Sequence, residues 1–353
     1  MKKITFIQTR NLFYTTLRQN VNKYFAEKNI KSTGDVRLFS KAIILFSLFV
    51  VSYVLMLVLE PGFFSILLSI FLGFIFAAIG FNIMHDGAHG SFSKKKWINE
   101  VCAYSLNLIG GSAFMWKIKH NVLHHSYANI EEVDDDIDIQ PWMRVSKGQK
   151  RFWFHKFQHY YFILLYGVTY LLWVFYLDYQ KYFSRKIASY KINSISVGEH
   201  FIFWGSKIIF LLIFALVPIY IVGFLNWMIG FLVLTFVTGF TISLVFQLAH
   251  VVEDAEFPLP NESNEIENNW ALHQLATTAD FSTKNKFMTW CLGGLNFQVV
   301  HHLFPKVSHI HYPDLQKIVR ETCDAFQIKY IEYQTIWAAF GSHFRHLRML
   351  GAK

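Results

Sequence analysis

Residues 63–89 read FFSILLSIFLGFIFAAIGFNIMHDGAH, an apolar run that leads directly into two histidines, His85 and His89. An apolar stretch of about 20 residues is long enough to cross the hydrocarbon core of a bilayer as a helix. Histidines four positions apart share one helical face, and neutral imidazole is the commonest metal ligand among side chains. This stretch therefore predicts a membrane-spanning helix with metal ligands at its end.

Two further histidine clusters lie beside apolar runs in the same way. On a regular helix His120 and His124 share a face while His125 points about 100° away, so this trio can supply two neighbouring metals. Adjacent His301 and His302 also suit two metals, one each. Imidazoles that converge without thiolates indicate a transition metal. The candidate ligands are His85, His89, His120, His124, His125, His301 and His302, with Gln298 and His250 as further candidates.

The composition is that of a membrane protein, with 53% hydrophobic and only 16% charged residues. A soluble domain of this size carries more charge. The three cysteines are widely separated, which excludes a thiolate metal site and gives no disulfide framework. Polar residues at 8–11 follow the basic start before any apolar core forms, so we expect no cleaved signal peptide.

The formal net charge of +9 has two compatible interpretations. Lys and Arg accumulate in the cytoplasmic loops of membrane proteins, which orients the chain. The same charge also attracts an anionic substrate or an acidic redox partner to that side. Nucleic-acid binding has no separate support in the sequence.

Five long apolar segments organise the chain, and four of them form two pairs. The two turns between paired segments contain neither Lys nor Arg, so both turns are expected on the outer side of the membrane. The fifth segment, 160–177, has basic residues on both flanks, which is typical of a helix that lies in the membrane interface. The paired segments are 41–59 with 63–84, and 201–224 with 227–249.

The position of the histidine clusters supports this assignment of the fifth segment. If all three clusters build one site, an even number of crossings must separate each cluster from the next. We therefore predict an all-α integral membrane protein with four transmembrane helices in two hairpins, interfacial helices, and a cytoplasmic helical cap that carries the histidine site. Both termini are expected in the cytoplasm. The expected divisions are a cytoplasmic N-terminal segment 1–40, a membrane domain 41–330 and a basic C-terminal tail 331–353.

An acidic run at 131–138 follows the second cluster. It is either a solvated loop or a source of carboxylates that orient the ligating imidazoles, as metal-bound histidines usually require. The candidates for that orienting role are Asp86, Asp135 and Asp136. The remaining histidines are expected mainly at the interface or surface, with His273 of particular interest: His155, His159, His200, His273, His309, His311, His343 and His346.

The three clusters resemble the histidine boxes of the integral-membrane fatty acid desaturases, and the resemblance covers residues 40–330. Gln298 stands where the usual third box has its first His, and the stretch 293–305 is similar to the front-end desaturases. Those enzymes insert a double bond between an existing one and the carboxyl end. The H-x3-H first box and the run 129–138 are similar to that branch and to its bacterial linoleoyl-CoA desaturase-like relatives.

The resemblance implies a di-iron centre that uses O2 and two electrons to remove two hydrogens from an acyl chain, and a tunnel that sets the position of the double bond. The substrate is a fatty acyl-CoA, acyl-carrier or acyl-lipid. The implied metal ligands are His85, His89, His120, His124, His125, His250, His301 and His302, with Gln298 at the substituted position.

The sequence departs from the family pattern in two respects. It contains no His-Pro-Gly-Gly haem motif, and the 40 residues before the first span are too few for a fused cytochrome b5 domain. Electrons are therefore expected from a separate cytochrome b5-like protein or ferredoxin. Phe246 stands where stearoyl-type enzymes have an Asn, and Gln247 or Gln298 is a possible substitute for that amide.

Two alternative functions differ from desaturation. A hydroxylase or ketolase of the same superfamily uses the same iron chemistry but leaves oxygen on the product. A His-rich metal transporter places its ligands at mid-membrane, whereas these clusters lie at the ends of the spans. The stand-alone architecture favours a bacterial cytoplasmic membrane.

Overall fold

The computed structural model describes residues 4–7 and 12–352. The described chain is predominantly helical, as the sequence predicted. Its α-helices are α1 Leu12–Glu27, α2 Val36–Val58, α3 Phe63–Ile79, α4 His85–His89, α5 Lys96–Ala103, α6 Ser105–Leu108, α7 Ala113–Lys117, α8 His125–Tyr127, α9 Gln158–Leu172, α10 Asp178–Ser184, α11 Val197–Leu211, α12 Val217–Val222, α13 Phe224–His250, α14 Trp270–Thr277, α15 Lys286–Cys291, α16 Gln298–Leu303, α17 Tyr312–Ala325 and α18 Ile336–Ala352.

Several of these helices join through irregular helical turns. Four turns are π-helical, with one extra residue per turn: Gly80–Met84, Ile118–His124, Trp173–Leu177 and Leu212–Leu216. Two are 3-10 turns, Trp153–Phe157 and His309–His311. Within the described residues, five continuous helices are long and apolar enough to cross a membrane: Val36–Val58, Phe63–His89, Trp153–Ser184, Val197–Val222 and Phe224–His250.

Six two-residue strands correct the all-α expectation. They pair as β1 Thr5–Phe6 with β4 Glu265–Ile266 in parallel, β2 Lys186–Ile187 with β3 Tyr190–Lys191 antiparallel, and β5 Asp280–Phe281 with β6 Glu332–Tyr333 in parallel. Strands this short leave no period-2 pattern in the sequence, so their pairing depends on tertiary contacts.

The two hairpins, α2–α3 and α11–α13, pack side by side with their turns at the same end. A small cavity of about 180 Å³ at that end is lined by Met56 and Gly62 from the first hairpin and by Pro218 and Asn226 from the second. The histidine clusters lie at the opposite end. The paired geometry expected from the sequence is therefore present in the structure.

The fifth long helix, Trp153–Ser184, extends beyond the predicted segment 160–177 at both ends. Its middle packs tightly on α13, where a Cβ added to Gly239 would lie 2.7 Å from the Gly167 carbonyl oxygen. Both of its ends contact the segment that follows the second histidine cluster. Gln158 Oε1 accepts a 2.8 Å bond from the Arg144 N–H, and Lys181 Nζ donates to Asp135 Oδ2 at 2.5 Å.

A buried ion pair fixes the carboxyl end of this helix to α11. Lys207 Nζ donates to Asp178 Oδ2 at 2.8 Å and to two backbone carbonyls, those of Gly110 and Val174. Both charged side chains are almost fully buried. Because each group is hydrogen-bonded as well as paired, the cost of removing the charges from water is offset.

The C-terminal segment, predicted as a basic tail, contains a packed helix. The helix α18 buries His343 and Leu347 against the beginning of the Trp153–Ser184 helix, and it packs Ala339 in a cluster with Val245 of α13. Its packing holds that end of the long helix close to the residues after the second histidine cluster, since His346 Nε2 donates to the Val145 carbonyl at 2.8 Å.

Candidate metal centre

The first histidine box lies where α3 passes through a π-helical turn into α4. The turn Gly80–Met84 adds one residue per turn and re-aims the residues that follow. The helix ends at Gly90, whose φ of 73° is left-handed and therefore suits glycine. His85 and His89 then lie side by side, with ring centroids 4.6 Å apart.

The second box differs from the regular helix assumed from the sequence, because residues Ile118–His124 are π-helical. In that geometry residues five apart face each other. The Nε2 atoms of His120 and His125 consequently lie 3.2 Å apart. His124 instead turns towards the third box, where its Nε2 lies 3.1 Å from that of His302. The trio thus divides between two groups of imidazoles, but by a different pairing from the one that regular helix geometry predicted.

The third box and His250 approach from two other helices. His250 is the last residue of α13, and α16 carries Gln298, His301 and His302. Gln298 Nε2 lies 2.9 Å from His250 Nε2 and 3.3 Å from His302 Nε2. Every histidine proposed as a ligand, together with Gln298, therefore converges on one buried region.

Within this region the imidazoles form two neighbouring groups. Cluster A is His85, His89, His120 and His301, and cluster B is His124, His250 and His302. In each group, the nitrogens able to ligate a metal lie within 4.8 Å of one another. His125 lies between the clusters and forms a further group with His301 and His302. This arrangement has enough donors for two adjacent ions.

Hydrogen bonds on the outer nitrogens of cluster B indicate what its inner nitrogens require. His124 Nδ1 lies 3.0 Å from Asp134 Oδ2, and His302 Nδ1 lies 2.7 Å from Gln274 Oε1. His250 Nδ1 lies 3.2 Å from the Thr277 carbonyl oxygen. Because these acceptors require Nδ1–H donors, the Nε2 atoms carry lone pairs when the rings are neutral. Two lone pairs 3.1 Å apart, on His124 and His302, repel unless a proton or a metal ion lies between them, so this pair fits a metal site.

Cluster A gives a second indication of a metal site. Both ring nitrogens of His85 and the Nε2 atoms of His89 and His301 are buried without a hydrogen-bond partner. An unpaired buried polar atom costs roughly 1–3 kcal/mol. His301 Nδ1 does have a partner, the Tyr312 hydroxyl at 3.1 Å. The residues of both clusters therefore fit transition-metal binding.

The electrostatics keep most of these imidazoles in the ligating, neutral form. Burial lowers the pKa of His120, His125, His301 and His302 well below its ordinary value. Burial opposes protonation of His124 as well, but the charge of Asp134 reverses the effect and raises its pKa.

The carboxylates that contact the histidine rings differ from those expected, which were Asp86, Asp135 and Asp136. Asp134, rather than Asp135, contacts the ring of a candidate ligand, His124. Asp135 pairs with Lys181 at 2.5 Å and with Lys119 at 3.5 Å. Asp136 pairs with Lys119 at 2.5 Å and lies 3.8 Å from His124 Nδ1. These ion pairs fold residues 134–136 back onto the second box, whereas Glu132 and Asp138 of the same run are exposed to solvent.

Asp86 also faces away from the ligating rings. Its carboxylate accepts a 2.7 Å bond from the Ser308 hydroxyl and lies 3.1 Å from His309 Nδ1. It therefore connects the first box to the segment just after the third box. Sequence reasoning missed Gln274, Thr277 and Tyr312, whose oxygens contact the rings of candidate ligands. These residues lie outside the histidine boxes, and no sequence motif indicates that they approach them.

Two aromatic side chains cover the clusters from opposite sides. The Trp116 ring stacks on His120 with centroids 4.3 Å apart and also contacts His85 and His89. Phe246 stacks on His250 at 4.7 Å. Of the two amides considered as substitutes beside Phe246, Gln298 reaches the histidines. Gln247 instead directs its Nε2 towards the Asp136 carbonyl.

Most of the other histidines are buried, which corrects the expectation that they lie at the surface or interface. Four of them bond to backbone carbonyls, as His155 does to Pro141 at 2.7 Å and His343 does to Val251 at 2.6 Å, whereas both ring nitrogens of His273 are buried without a hydrogen-bond partner. A neutral imidazole buries well when its N–H has an acceptor. His273 packs against Phe6 and lies outside every metal-binding group of the described residues. The buried set is His155, His159, His273, His309, His311, His343 and His346.

An apolar groove of about 600 Å³ runs between α2 and α5 close to the first box. Phe46 and Val50 line one side, and Ile98 and Cys102 line the other. Ile83, two residues before His85, forms part of its floor. The groove has the chemistry to accommodate hydrocarbon. The substrate tunnel expected from the sequence stays a prediction.

A helical membrane protein with a candidate metal site of many histidines and few carboxylates belongs to a narrow class. Comparison with known proteins identifies the family. Residues 61–334 match the model of the fatty acid desaturase family. The chain is 36% identical over 96% of its length to an acyl-lipid (8-3)-desaturase of Physcomitrium patens, covering 72% of that protein.

Cyanobacterial relatives match over nearly the whole of both chains. The sn-1 linoleoyl-lipid 6-desaturases of Arthrospira platensis and Synechocystis are each 34% identical over 99% of this chain, covering 95% and 98% of those proteins. The chain therefore belongs to the fatty acid desaturase family. It is a multi-pass membrane oxidoreductase that desaturates fatty acyl chains.

Proposed function

We propose that this protein is a front-end desaturase that acts on acyl chains esterified in membrane lipids. It inserts a cis double bond between an existing double bond and the carboxyl end of the chain. The convergence of two neighbouring histidine clusters with Gln298 carries the proposal, because Gln298 is the feature that resembles the front-end branch. The printed names of the relatives, which describe acyl-lipid substrates, support the choice of carrier.

The proposed cofactor is a pair of iron ions. Cluster A would hold one ion and cluster B the other, with His125 between them and Gln298 beside the second. When bound, the iron pair supplies the oxidising power to remove hydrogen from an unactivated C–H bond, with O2 as co-substrate and water as by-product. The ligands of the proposal are His85, His89, His120, His124, His125, His250, His301, His302 and Gln298.

The protein's own side chains orient and protect this site. Asp134, Gln274 and the Thr277 carbonyl hold the rings of cluster B in one tautomer, so that each Nε2 is free to ligate. Trp116 and Phe246 cover imidazole faces and exclude water. A dry, fixed ligand set favours productive oxidation of the acyl chain over loss of the oxidant to solvent.

Four of the five long helices are proposed to cross the membrane, and Trp153–Ser184 is proposed to lie tilted at the cytoplasmic interface. Two contacts support this assignment, those of Gln158 with Arg144 and of Lys181 with Asp135. They join opposite ends of the helix to one short segment, so both ends belong on one side. An even number of crossings then separates the histidine boxes, and both termini are cytoplasmic in what we propose is a bacterial inner membrane.

The proposed electron source is a separate cytochrome b5-like protein or ferredoxin with its reductase. The net charge of +9 favours approach of an acidic donor to the cytoplasmic side. Each desaturation requires two electrons, so the rate should follow the donor concentration when donor is limiting.

Expression in a host of known lipid composition tests the proposal. Cells are supplied with linoleate, and the fatty acids of each lipid class are analysed by gas chromatography–mass spectrometry. A new double bond on the carboxyl side of the existing bonds, appearing first in intact lipids, supports it. Hydroxylated chains would instead indicate the oxygen-retaining alternative. Appearance of the product in acyl-CoA before lipid would contradict the acyl-lipid assignment.

Two variants make this experiment specific to the site. His302→Ala removes a member of cluster B and is expected to abolish the product. His200→Ala changes a histidine outside the metal groups and is expected to retain it. Iron content of the purified wild type, measured by plasma mass spectrometry, should approach two ions per chain. Full activity at one ion per chain would contradict the di-iron centre.

A further inference from the structure

The short segment around Asp280 connects the two chain segments that provide most of cluster B. The Ala279 N–H donates to the Ala249 carbonyl at 2.8 Å, directly beside His250. The Phe281 N–H donates to the Asn296 carbonyl at 3.0 Å, two residues before Gln298. This segment therefore links the end of α13 to the beginning of α16.

The Asp280 side chain contacts α16 itself. Asp280 is fully buried, and its Oδ1 accepts a 2.9 Å bond from the Val299 N–H. No side chain caps α16 from its own N-cap residue, Phe297. The first amides of a helix need partners from elsewhere. Asp280 supplies one of these partners from a distant part of the sequence. The amide that it accepts from, that of Val299, lies between Gln298 and His301, two of the residues proposed to bind the metal.

The other carboxylate oxygen holds Asp280 in place. Its Oδ2 accepts a 3.0 Å bond from Gln316 Nε2 and a bond from the Tyr330 hydroxyl. Gln316 lies on α17, the helix that also presents Tyr312 to His301. The backbone of Asp280 pairs with β6 through its N–H, which donates to the Ile331 carbonyl. The carboxylate is thus fixed on three sides while it orients α16.

We propose that Asp280 is a positioning residue that fixes the third histidine box relative to His250 and so sets the geometry of cluster B. The inference rests on the proposed metal centre and deepens it. Cluster A receives only His301 from α16, whereas cluster B receives His302 and the neighbouring Gln298. Removal of the Asp280 carboxylate should therefore disturb cluster B more than cluster A.

Asp280→Ala in the full-length chain tests this role, with Asp254→Ala as the matched control. Asp254 accepts a bond from the Tyr333 hydroxyl of the same strand β6 but reaches no residue of the boxes. Two measurements are made on each protein. Hydrogen–deuterium exchange reports the protection of residues 296–303, and titration with ferrous iron reports metal affinity.

The expected result is selective for one cluster. In Asp280→Ala, residues 296–303 should exchange faster while residues 85–89 keep wild-type protection. The affinity for one of the two irons, the one proposed for cluster B, should fall by about 10–100-fold, the usual cost of losing a group that orients metal ligands. The Mössbauer spectrum of the iron-loaded protein should change at one of its two sites. Asp254→Ala should match the wild type in all three measurements.

Two further variants separate position from charge. Asp280→Asn keeps an oxygen for the Val299 N–H and should restore most of the protection and affinity. Asp280→Glu keeps the charge but moves the carboxylate by one methylene, so it should reproduce the selective loss, including where Asp280→Ala gives no folded protein. Wild-type behaviour of Asp280→Glu and Asp280→Ala, or equal losses in Asp254→Ala, would overturn the inference. A wild type that binds no iron would instead contradict the proposed function.

Discussion

Clusters A and B contain similar ligands but are held in different ways. In cluster B each ring has an acceptor on Nδ1, namely Asp134, Gln274 or the Thr277 carbonyl. In cluster A only His301 has such a partner, the Tyr312 hydroxyl, among the contacts described here. Three of its rings are instead packed against Trp116.

This difference implies that the two clusters depend on different contacts for the orientation of their rings. Hydrogen bonds fix both the tautomer and the direction of a ring, whereas stacking fixes its plane and leaves the tautomer open. Cluster B should therefore tolerate the loss of one packing contact better than the loss of an acceptor. Cluster A should show the reverse order.

The largest effect is expected from loss of a ligand in either cluster. His85→Ala in cluster A and His124→Ala in cluster B should each reduce lipid desaturation to the background of an empty vector. Each should also lower iron content by about one ion per chain, since each cluster is proposed to bind one ion. Purified protein is assayed for iron and product together. Retention of both irons by either variant would contradict the assignment of that residue.

The next effect distinguishes Asp134 from its neighbour in the acidic run. Asp134→Asn replaces the charged acceptor on His124, so metal affinity should fall by about 10–100-fold. Asp135→Asn weakens ion pairs with Lys119 and Lys181 and should change affinity by less than that. Iron titration of both proteins checks the order. Equal losses would mean that the whole acidic run acts by charge alone.

A smaller effect is expected from the aromatic cover of cluster A. Trp116→Leu removes stacking on His120, an interaction that contributes about 0.5–1.5 kcal/mol beyond buried area. Desaturation should fall several-fold, with iron lost preferentially from one site. Phe246→Leu is the matched change at cluster B and should have less influence, because acceptors already orient those rings. The opposite order of the two variants would contradict the comparison.

The smallest expected effect is the pH dependence of the stability that Asp280, the residue proposed to position cluster B, gives to the fold. Burial, the largest cause, raises the pKa of Asp280 from 3.8 to about 7, and nearby Glu332 acts in the same direction while Tyr330 opposes it. Arg320 faces Glu332 from α17 and partly balances its charge. A carboxyl with a raised folded-state pKa stabilises the fold fully below its unfolded pKa, and this contribution is lost as the pH rises through about 7.

The unfolding temperature of the wild type relative to Asp280→Asn should therefore decline between pH 5 and pH 7 and level off above it. A change of about 1–2 °C is expected for each kcal/mol of this contribution in a chain of this size. Calorimetry or a thiol-reactive dye assay in detergent provides the measurement. A difference that stays constant from pH 5 to pH 8 would show that Asp280 does not titrate in this range.

The sequence predicted the parts of the molecule that are governed by local pattern. The apolar runs at 63–84 and 227–249 gave helices within a few residues of the observed bounds, and His250 was found because it ends such a run. The convergence of the boxes was inferred from the clustering of their histidines, and the count of membrane crossings was then derived from it. These features depend on composition and periodicity, which a single sequence contains.

Other features depend on contacts between distant residues and were wrong or missed. The spacing of the acidic run could not distinguish Asp134 from Asp135, because the choice depends on how Lys119 and Lys181 fold the run back. The buried positions of His343 and His346 follow from the packing of α18 onto residues 142–162. Asp280 acts across 19 residues through one backbone amide, which no local motif reports.

The π-helical turn at the second box has a consequence for engineering and for sequence searches. Because of its extra residue, His124 and His125 face different partners. The same sequence placed on an ideal α-helix would therefore not bring these histidines to the positions that the proposed metal site requires. Deleting one residue there would be more damaging than many substitutions. A sequence search that allows insertions or deletions between His120 and His124 would accept chains that are unable to form this site.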